Sequence, residues 1–108
     1  VKPPPEPISV RPMFRRLLGN LEIDEGYYAK FEIRVKGSPQ PDLKWEKDGK
    51  QMMKSEHIEI CWEDNERCYL MITTTFVNDT GLYKVTATNS AGTTSCQASL
   101  TVKPWSVK

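Results

Sequence analysis

The sequence predicts an all-β protein, a sandwich of two antiparallel sheets. Several short segments alternate apolar and polar residues, as strands do when one face of a sheet is buried. Turn-forming residues separate these segments at regular intervals, and no stretch repeats its apolar residues with the period of a helix. The chain has 108 residues, which is enough for one domain with a single hydrophobic core.

The N-terminal part predicts a linker followed by an edge strand. Residues 1–7 are rich in proline and are expected to form an extended linker before a domain that spans residues 8–103. Residues 8–16 are predicted to form the first strand, at the edge of a sheet because Pro12 has no N–H to donate. Residues 21–23 are expected to continue this strand after a turn.

The clearest alternation lies in residues 28–36, where apolar and charged side chains follow each other in turn. This pattern predicts a half-buried strand. A strand around Trp45 should follow, ended by a hairpin turn at Asp48-Gly49. The side chains of residues 28–36 that are predicted to face inward are Ala29, Phe31, Ile33 and Val35.

The second half of the chain predicts four more strands. Ile58 and Ile60 mark a short strand, and an acidic turn at residues 63–66 leads to the next one. Residues 93–103 are predicted to form the last strand, and residues 104–108 a C-terminal linker. The residues expected to face inward are Cys68, Leu70, Ile72, Tyr83, Val85, Ala87, Ala98, Leu100 and Val102.

Six sequence features lie along residues 11–103: Gly37-Ser38-Pro39-Gln40-Pro41, Trp45, Lys47-Asp48-Gly49, Leu70-Met71-Ile72, Asp79-Thr80-Gly81-Leu82-Tyr83 and Ala87-Thr88-Asn89-Ser90-Ala91-Gly92. Together they resemble an I-set immunoglobulin domain. The resemblance implies a Greek-key sandwich with Trp45 in its core. It also implies a corner, opened by Asp79 and Gly81, at which the Tyr83 hydroxyl binds the backbone.

The resemblance further implies that the inter-sheet disulfide of such domains is missing. Its two cysteine positions fall on Ile33 and Val85. A bridge across a loop of this length contributes about 4 kcal/mol. Burial of an Ile or a Val contributes roughly 1.5–3 kcal/mol, so packing can replace the bridge. Because domains without disulfides are typical of reducing compartments, we expect an intracellular protein.

Among I-set domains, the chain is similar to those of the muscle cytoskeletal branch. Cys68 and Cys96 resemble the buried, unpaired cysteines of that branch. This implies a structural and protein-binding module that spaces domains along a filament and bears tension. Its expected partners are neighbouring immunoglobulin or fibronectin-type domains and cytoskeletal proteins. The isolated domain would be monomeric, and its expected location is the cytoplasm, in the sarcomeric M-band or A-band. Two alternatives are a regulatory module beside a kinase domain and an adhesion or receptor ectodomain, which Ile33 and Val85 disfavour.

No catalytic, metal or cofactor site is predicted, and we expect a non-enzyme. His57 is the only histidine, and the three cysteines lack the paired spacing of a zinc site. The acidic turn at residues 63–66 lacks the alternating ligands of a calcium loop, and no Gly-rich phosphate loop is present. A net charge of +1 gives no field that would attract nucleic acid or an anionic membrane.

Four residues are predicted as protein contacts. Arg15 and Arg16 give the first strand a basic edge, although local pairing with nearby carboxylates is an equally good interpretation. Trp62 beside the acidic turn and Trp105 after the last strand are aromatic residues at the ends of the domain. We expect Trp105 to pack against a following module, the alternative being an unattached tail.

The segment between the fifth and sixth predicted strands departs from the family pattern. Thr75 occupies a position that is usually apolar, and Phe76 stands beside it. Because large apolar side chains are usually buried, we expect the Phe76 ring to fill the core, the alternative being a ring that is exposed on this turn.

Overall fold

The computed structural model describes residues 8–105 and confirms the all-β class. One short 3-10 turn, Val77–Asp79, interrupts the strands of this part of the chain. The strands are β1 Val10–Arg16, β2 Leu21–Asp24, β3 Ala29–Ser38, β4 Asp42–Lys47, β5 Lys50–Gln51, β6 Ile58–Trp62, β7 Arg67–Ile72, β8 Gly81–Asn89 and β9 Gly92–Lys103.

The strands form two sheets that pack face to face. One sheet has the order β1-β3-β7-β6 and the other has the order β2-β9-β8-β4-β5. All neighbours are antiparallel except β2 and β9, which run parallel in the register Leu21↔Leu100 to Asp24↔Lys103. The predicted continuation of the first strand through residues 21–23 is therefore wrong. The chain crosses to the opposite sheet after Arg16, and Leu21 and Ile23 of β2 pack against the core from that sheet.

The core lies between the sheets and consists of the inward side chains of each strand. Alternation along β3 places Phe31 and Ile33 inside, and they are 2% and 1% exposed. The rings of Phe31 and Tyr83 connect the two sheets, with centroids 5.0 Å apart. Further buried members of the core are Leu18, Ala29, Val35, Trp45, Cys68, Leu70, Ile72, Val85, Ala87, Ala98, Leu100 and Val102.

The hairpin turn after β4 forms at the predicted residues. Asp48 and Gly49 have φ angles of 50° and 85°, as the two central residues of a tight hairpin turn require. A glycine accepts this conformation without strain, and aspartate tolerates it better than most residues. The turn leads into the short edge strand β5, which the sequence pattern did not indicate.

The predicted burial of Phe76 is wrong. Its ring is 49% exposed, while Thr75 beside it is fully buried. The Thr75 hydroxyl donates a hydrogen bond to the Tyr27 carbonyl at 2.7 Å, and the Thr75 N–H reaches the same carbonyl at 3.0 Å. Because both polar groups of Thr75 find a partner, the threonine can occupy the inner position and Phe76 turns outward.

The described residues contain no helix that is long and apolar enough to cross a membrane.

Candidate protein-binding surfaces

The corner before β8 is fixed by two side chains. Tyr83 is completely buried and its hydroxyl donates a hydrogen bond of 2.6 Å to the carbonyl of Asp79. The Asp79 carboxylate accepts the N–H of Phe76 at 2.7 Å and so closes the 3-10 turn. Burial, followed by the nearby carboxylates of Asp79 and Asp48, raises the pKa of the Tyr83 phenol well above its usual range. The hydroxyl therefore remains a hydrogen-bond donor at physiological pH.

Gly81 is needed at this corner because Asp48 lies against it. One Asp48 carboxylate oxygen accepts the N–H of Leu82 at 2.9 Å. A Cβ atom at position 81 would stand 2.6 Å from the other oxygen, which is closer than such atoms approach. The turn after β4 and the start of β8 are thus connected through one carboxylate. The role of Asp48 was not apparent from the sequence.

The residues at the two usual disulfide positions lie in the core. Ile33 is 1% exposed and Val85 is fully buried, with Trp45 directly beside Val85 in the sheet register. Leu70 and Ile72 on β7 pair with Phe31 and Ala29. No disulfide forms among the cysteines, and Cys61, Cys68 and Cys96 are unpaired. The contact between the sheets thus consists of apolar and aromatic side chains.

Two of the three cysteines are poorly suited to nucleophilic chemistry. Burial, with a smaller contribution from Cys61, raises the pKa of the Cys68 thiol to about 12, and burial also raises the pKa of Cys96. Thiols with a raised pKa are weak nucleophiles because they rarely ionise. Cys96 was expected to be buried and is only partly buried. Within residues 8–105, no three His, Cys, Asp or Glu side chains converge as metal ligands would.

The outer face of the β1-β3-β7-β6 sheet carries a network of ion pairs. Arg16 binds Glu32 at 2.8 Å, and Lys30 binds the same carboxylate at 3.0 Å. Arg34 reaches Glu66 at 2.9 Å. Of the two arginines predicted as contacts, Arg16 is therefore paired locally, with a carboxylate on β3. Arg15 is exposed, forms no ion pair within the described residues and lines a shallow cavity of about 430 Å³ beside this network.

The two predicted aromatic contacts occupy different environments. Trp62 ends β6 and is 38% exposed, opposite Cys68 in the register. Trp105 is 65% exposed, two residues after the end of β9. Its backbone N–H donates to a carboxylate oxygen of Glu25 at 3.1 Å. The contact orients the chain where it leaves the sandwich, with the indole directed to solvent.

The turn between β6 and β7 is organised by Asp64. Its carboxylate accepts the N–H groups of Glu66 at 2.8 Å and Arg67 at 2.7 Å, and it also binds the Arg67 guanidinium at 2.9 Å. These backbone and guanidinium contacts lower the pKa of Asp64 from its ordinary value of 3.8 to about 2. The acidic turn is therefore closed by its own hydrogen bonds.

This lowered pKa predicts a pH-dependent contribution to stability. A carboxylate with a lower pKa in the folded state stabilises the fold above its unfolded pKa, and this stabilisation is lost as the pH falls through the folded value. Asp64→Asn should therefore lower the free energy of unfolding at pH 6, and the difference from the original protein should shrink between pH 4 and pH 2. Urea unfolding of both proteins across this pH range measures the difference in the free energy of unfolding. Glu56→Gln serves as the control, and a difference that stays constant down to pH 2 would contradict the assignment.

One side chain that the sequence did not single out holds the opposite end of the sandwich. Asn89 donates from its amide nitrogen to the carbonyl of Val10 at 2.7 Å and to that of Pro39 at 3.0 Å. The same side chain accepts the N–H of Ala91 at 2.8 Å. The sequence places Asn89 in the Asn89-Ser90-Ala91-Gly92 turn, which indicates a structural role. The turn alone does not show that β1 lies within hydrogen-bonding distance of Asn89.

Comparison with known proteins gives a family. The immunoglobulin I-set domain family matches residues 12–102. The striated muscle preferentially expressed protein kinase of Danio rerio is 38% identical over 95 residues, which are 88% of this chain and 3% of that protein. The chain thus spans only a small part of this relative.

Two solved structures share the fold. The titin M3 domain has a TM-score of 0.84 and 54% identity, covering 87% of this chain and 98% of that one. A chain of the complex between titin M10 and the obscurin-like 1 Ig domain has a TM-score of 0.86 and 30% identity, covering 91% and 99%. The sequence of residues 10–18 and 43–49 predicts a titin-like domain, and the similarity to titin is confirmed. The chain belongs to the immunoglobulin I-set family and is similar to domains of striated-muscle proteins.

Proposed function

We propose that the chain is a structural and protein-binding module of a muscle filament protein, which spaces its neighbours, bears tension and carries out no catalysis. The parallel pairing of β2 with β9 supports this proposal most directly. Similarity to titin and to a striated-muscle protein supports a sarcomeric location, with the M-band and A-band as the predicted sites. The missing inter-sheet disulfide supports a cytoplasmic setting.

The parallel pair is suited to resist force along the chain. Because β2 and β9 run in the same direction, the chain enters β2 at one end of the pair and leaves β9 at the other. Tension on the two ends therefore slides the strands past each other and loads their backbone hydrogen bonds together. A further bond directly after β2, from the N–H of Glu25 to the carbonyl of Lys103 at 2.8 Å, lies where force from the C-terminal side enters the pair.

Two substitutions at Glu25 test the mechanical part of the proposal. Glu25→Pro and Glu25→Ala both remove the carboxylate that binds Trp105, but only proline also removes the N–H that donates to Lys103. In single-molecule stretching of a tandem array, the proline variant should unfold at a lower mean force than the alanine variant. Urea unfolding of both variants measures how much of the difference in unfolding force arises from a difference in stability. Equal forces would contradict a load-bearing role for the β2–β9 pair.

Protein binding is supported by the relatives and by the exposed aromatic residue at the end of β9. The titin M10 structure contains a second immunoglobulin domain as its partner. In this chain, the 65% exposed Trp105 stands where a following domain would begin. The hydrogen bond from its backbone N–H to Glu25 fixes the direction in which the chain leaves the sandwich. We infer that Trp105 contacts the next module of the same filament protein.

A regulatory role beside a kinase domain is the second candidate. One relative is named as a protein kinase, and the chain covers 3% of that protein. In that setting the same module would bind or position the kinase domain instead of transmitting tension. Kinase activity in a chain that retains the flanking sequence, measured with Trp105 intact and as Trp105→Ala, distinguishes the two roles.

A further inference from the structure

The parallel pair of β2 and β9 is short for a contact that is proposed to carry load. Residues Leu21 to Asp24 of β2 stand in register with Leu100 to Lys103 of β9. On its other side, β9 pairs with β8 over the longer stretch from Gly92 to Leu100. Under tension β9 should therefore stay with β8, and its contact with β2 is the one that separates first.

The direction of the backbone groups of β9 follows from two hydrogen bonds. The N–H of Val102 donates to the Thr80 hydroxyl at 2.9 Å, on the side of β8. The carbonyl of Lys103 accepts the N–H of Glu25 at 2.8 Å, on the side of β2. Because backbone groups of successive residues point to opposite sides of a strand, the odd-numbered residues of β9 present theirs to β2. Ser99, which precedes the residues in register with β2, belongs to this series.

The side chain of Asn20 meets β9 just before β2 begins. Its Oδ1 atom accepts the N–H of Ser99 at 2.9 Å. The first residue of β9 in register with β2 is Leu100, so no residue of β2 stands opposite Ser99. The amide oxygen of Asn20 therefore takes the place of a backbone carbonyl and adds one hydrogen bond at the start of the pair.

A carboxylate has the same role at the other end of the pair. The N–H of Glu25 binds Lys103 directly after β2, and the Glu25 side chain then accepts the N–H of Trp105 at 3.1 Å. Trp105 lies two residues after the end of β9. Side-chain oxygens thus extend the contact at both ends, so that it runs from Ser99 to Trp105 although β2 itself has only 4 residues.

The two side-chain hydrogen bonds lie where force enters the pair. The N-terminal part of the chain leads into β2 at Leu21, next to Asn20. The C-terminal part leaves β9 at Lys103, next to the contact of Trp105. When two parallel strands are sheared, the bonds closest to the two points of loading are stretched first. An added bond at each of these points should therefore delay separation more than a bond elsewhere would.

We propose that the side chains of Asn20 and Glu25 are load-bearing ties that hold the two ends of the β2–β9 pair under tension. Both are positioning residues, because they act through the backbone that follows or precedes the paired part of β9. This inference deepens the mechanical part of the proposed function and rests on it.

The tie at Asn20 should affect the response to force more than the equilibrium stability. Asn20 and Ser99 are both exposed, so their hydrogen bond is exchanged for bonds to water when the chain unfolds completely, and its net contribution is small. A bond to water does not join the two strands. Loss of the tie should therefore be seen mainly when the strands are pulled apart.

Two substitutions at Asn20 test the first tie, in stretching of a tandem array of the whole chain at constant force. Alanine fits the backbone at this position, where φ is not positive, but it offers no acceptor to Ser99. Asn20→Ala should unfold about three- to tenfold faster under force than the original protein. Asn20→Asp keeps a side-chain oxygen and should unfold at nearly the original rate. In urea, Asn20→Ala should change the equilibrium constant of unfolding by no more than about twofold.

Two substitutions at Glu25 test the second tie in the same way. Glu25→Ala and Glu25→Gln both keep the N–H that donates to Lys103, but only glutamine keeps a side-chain oxygen for the N–H of Trp105. The alanine variant should unfold faster under constant force, and the glutamine variant should unfold at nearly the original rate.

Thr80→Val is the matched control. It removes a side-chain acceptor from an N–H of β9 that faces β8 instead of β2. Because β9 is expected to stay with β8 until β2 has separated, this variant should lose stability in urea but keep nearly the original unfolding rate under force.

The outcomes separate this inference from the proposed function. Equal unfolding rates of Asn20→Ala and Asn20→Asp under force would overturn the inference, and so would an effect of Thr80→Val as large as that of Asn20→Ala. If Glu25→Pro unfolds at a lower force than Glu25→Ala while Asn20→Ala behaves like the original protein, only the side-chain ties are refuted. If Glu25→Pro and Glu25→Ala unfold at equal force, the β2–β9 pair bears no load and the mechanical function fails with the ties.

Discussion

Replacement of Trp45 by alanine is expected to lower the free energy of unfolding by about 3–5 kcal/mol. The side chain is 2% exposed and stands beside Val85 in the register of β4 and β8, in the part of the core where a disulfide would otherwise connect the sheets. Without a bridge, the loss of this ring leaves a cavity that only the surrounding apolar side chains can fill. The indole N–H has no hydrogen-bond partner within the described residues, so the truncation breaks no hydrogen bond and the expected loss arises from packing.

Urea unfolding followed by circular dichroism measures the Trp45 effect without relying on tryptophan fluorescence. Trp105→Ala is the matched control because its side chain is 65% exposed, and it should change the free energy of unfolding by no more than about 0.5 kcal/mol. Similar losses for the two variants would mean that Trp45 does not anchor the core.

Replacement of Tyr83 by phenylalanine is expected to cost roughly 1–2 kcal/mol of stability. The ring remains in place, but the 2.6 Å hydrogen bond from its hydroxyl to the Asp79 carbonyl is lost. That bond ties β8 to the 3-10 turn before it, and the carbonyl is left without its side-chain donor. The ring contact with Phe31, at 5.0 Å between centroids, is retained, so the measured loss reports the hydroxyl.

Thermal and urea unfolding of this variant should be compared with those of Tyr28→Phe. Tyr28 is 62% exposed, so loss of its hydroxyl should have almost no effect on stability. Equal stability of Tyr83→Phe and the original protein would show that the corner is held by the Asp79 carboxylate and not by the tyrosine.

The alternation of apolar residues predicted the buried face of each major strand, and the structure confirms it from Ala29 to Val102. Alternation shows which side chains face inward, but it does not show which strand lies alongside. For this reason the transfer of residues 21–23 to the other sheet was missed. The same limit hides the open outer edge of β2, because an unpaired edge is visible only once the order of the strands is known.

Side-chain size misled the prediction at residues 75 and 76. A large apolar ring was expected inside, yet Thr75 is fully buried and Phe76 is 49% exposed. The deciding contact joins Thr75 to the Tyr27 carbonyl, a residue 48 positions away in sequence. Asp48 and Asn89 were missed for the same reason, since each joins segments far apart in the chain. Local sequence identified turns but not the partners of their polar side chains.

A thiol count combined with thermal unfolding tests most directly whether packing alone holds the two sheets together. Ile33 and Val85 occupy the positions of the usual bridge, and all three cysteines are unpaired. Unfolded, unreduced protein should therefore show three reactive thiols, and its melting temperature should be the same with and without reductant. One reactive thiol together with a melting temperature that falls on reduction would contradict a sandwich stabilised without a disulfide.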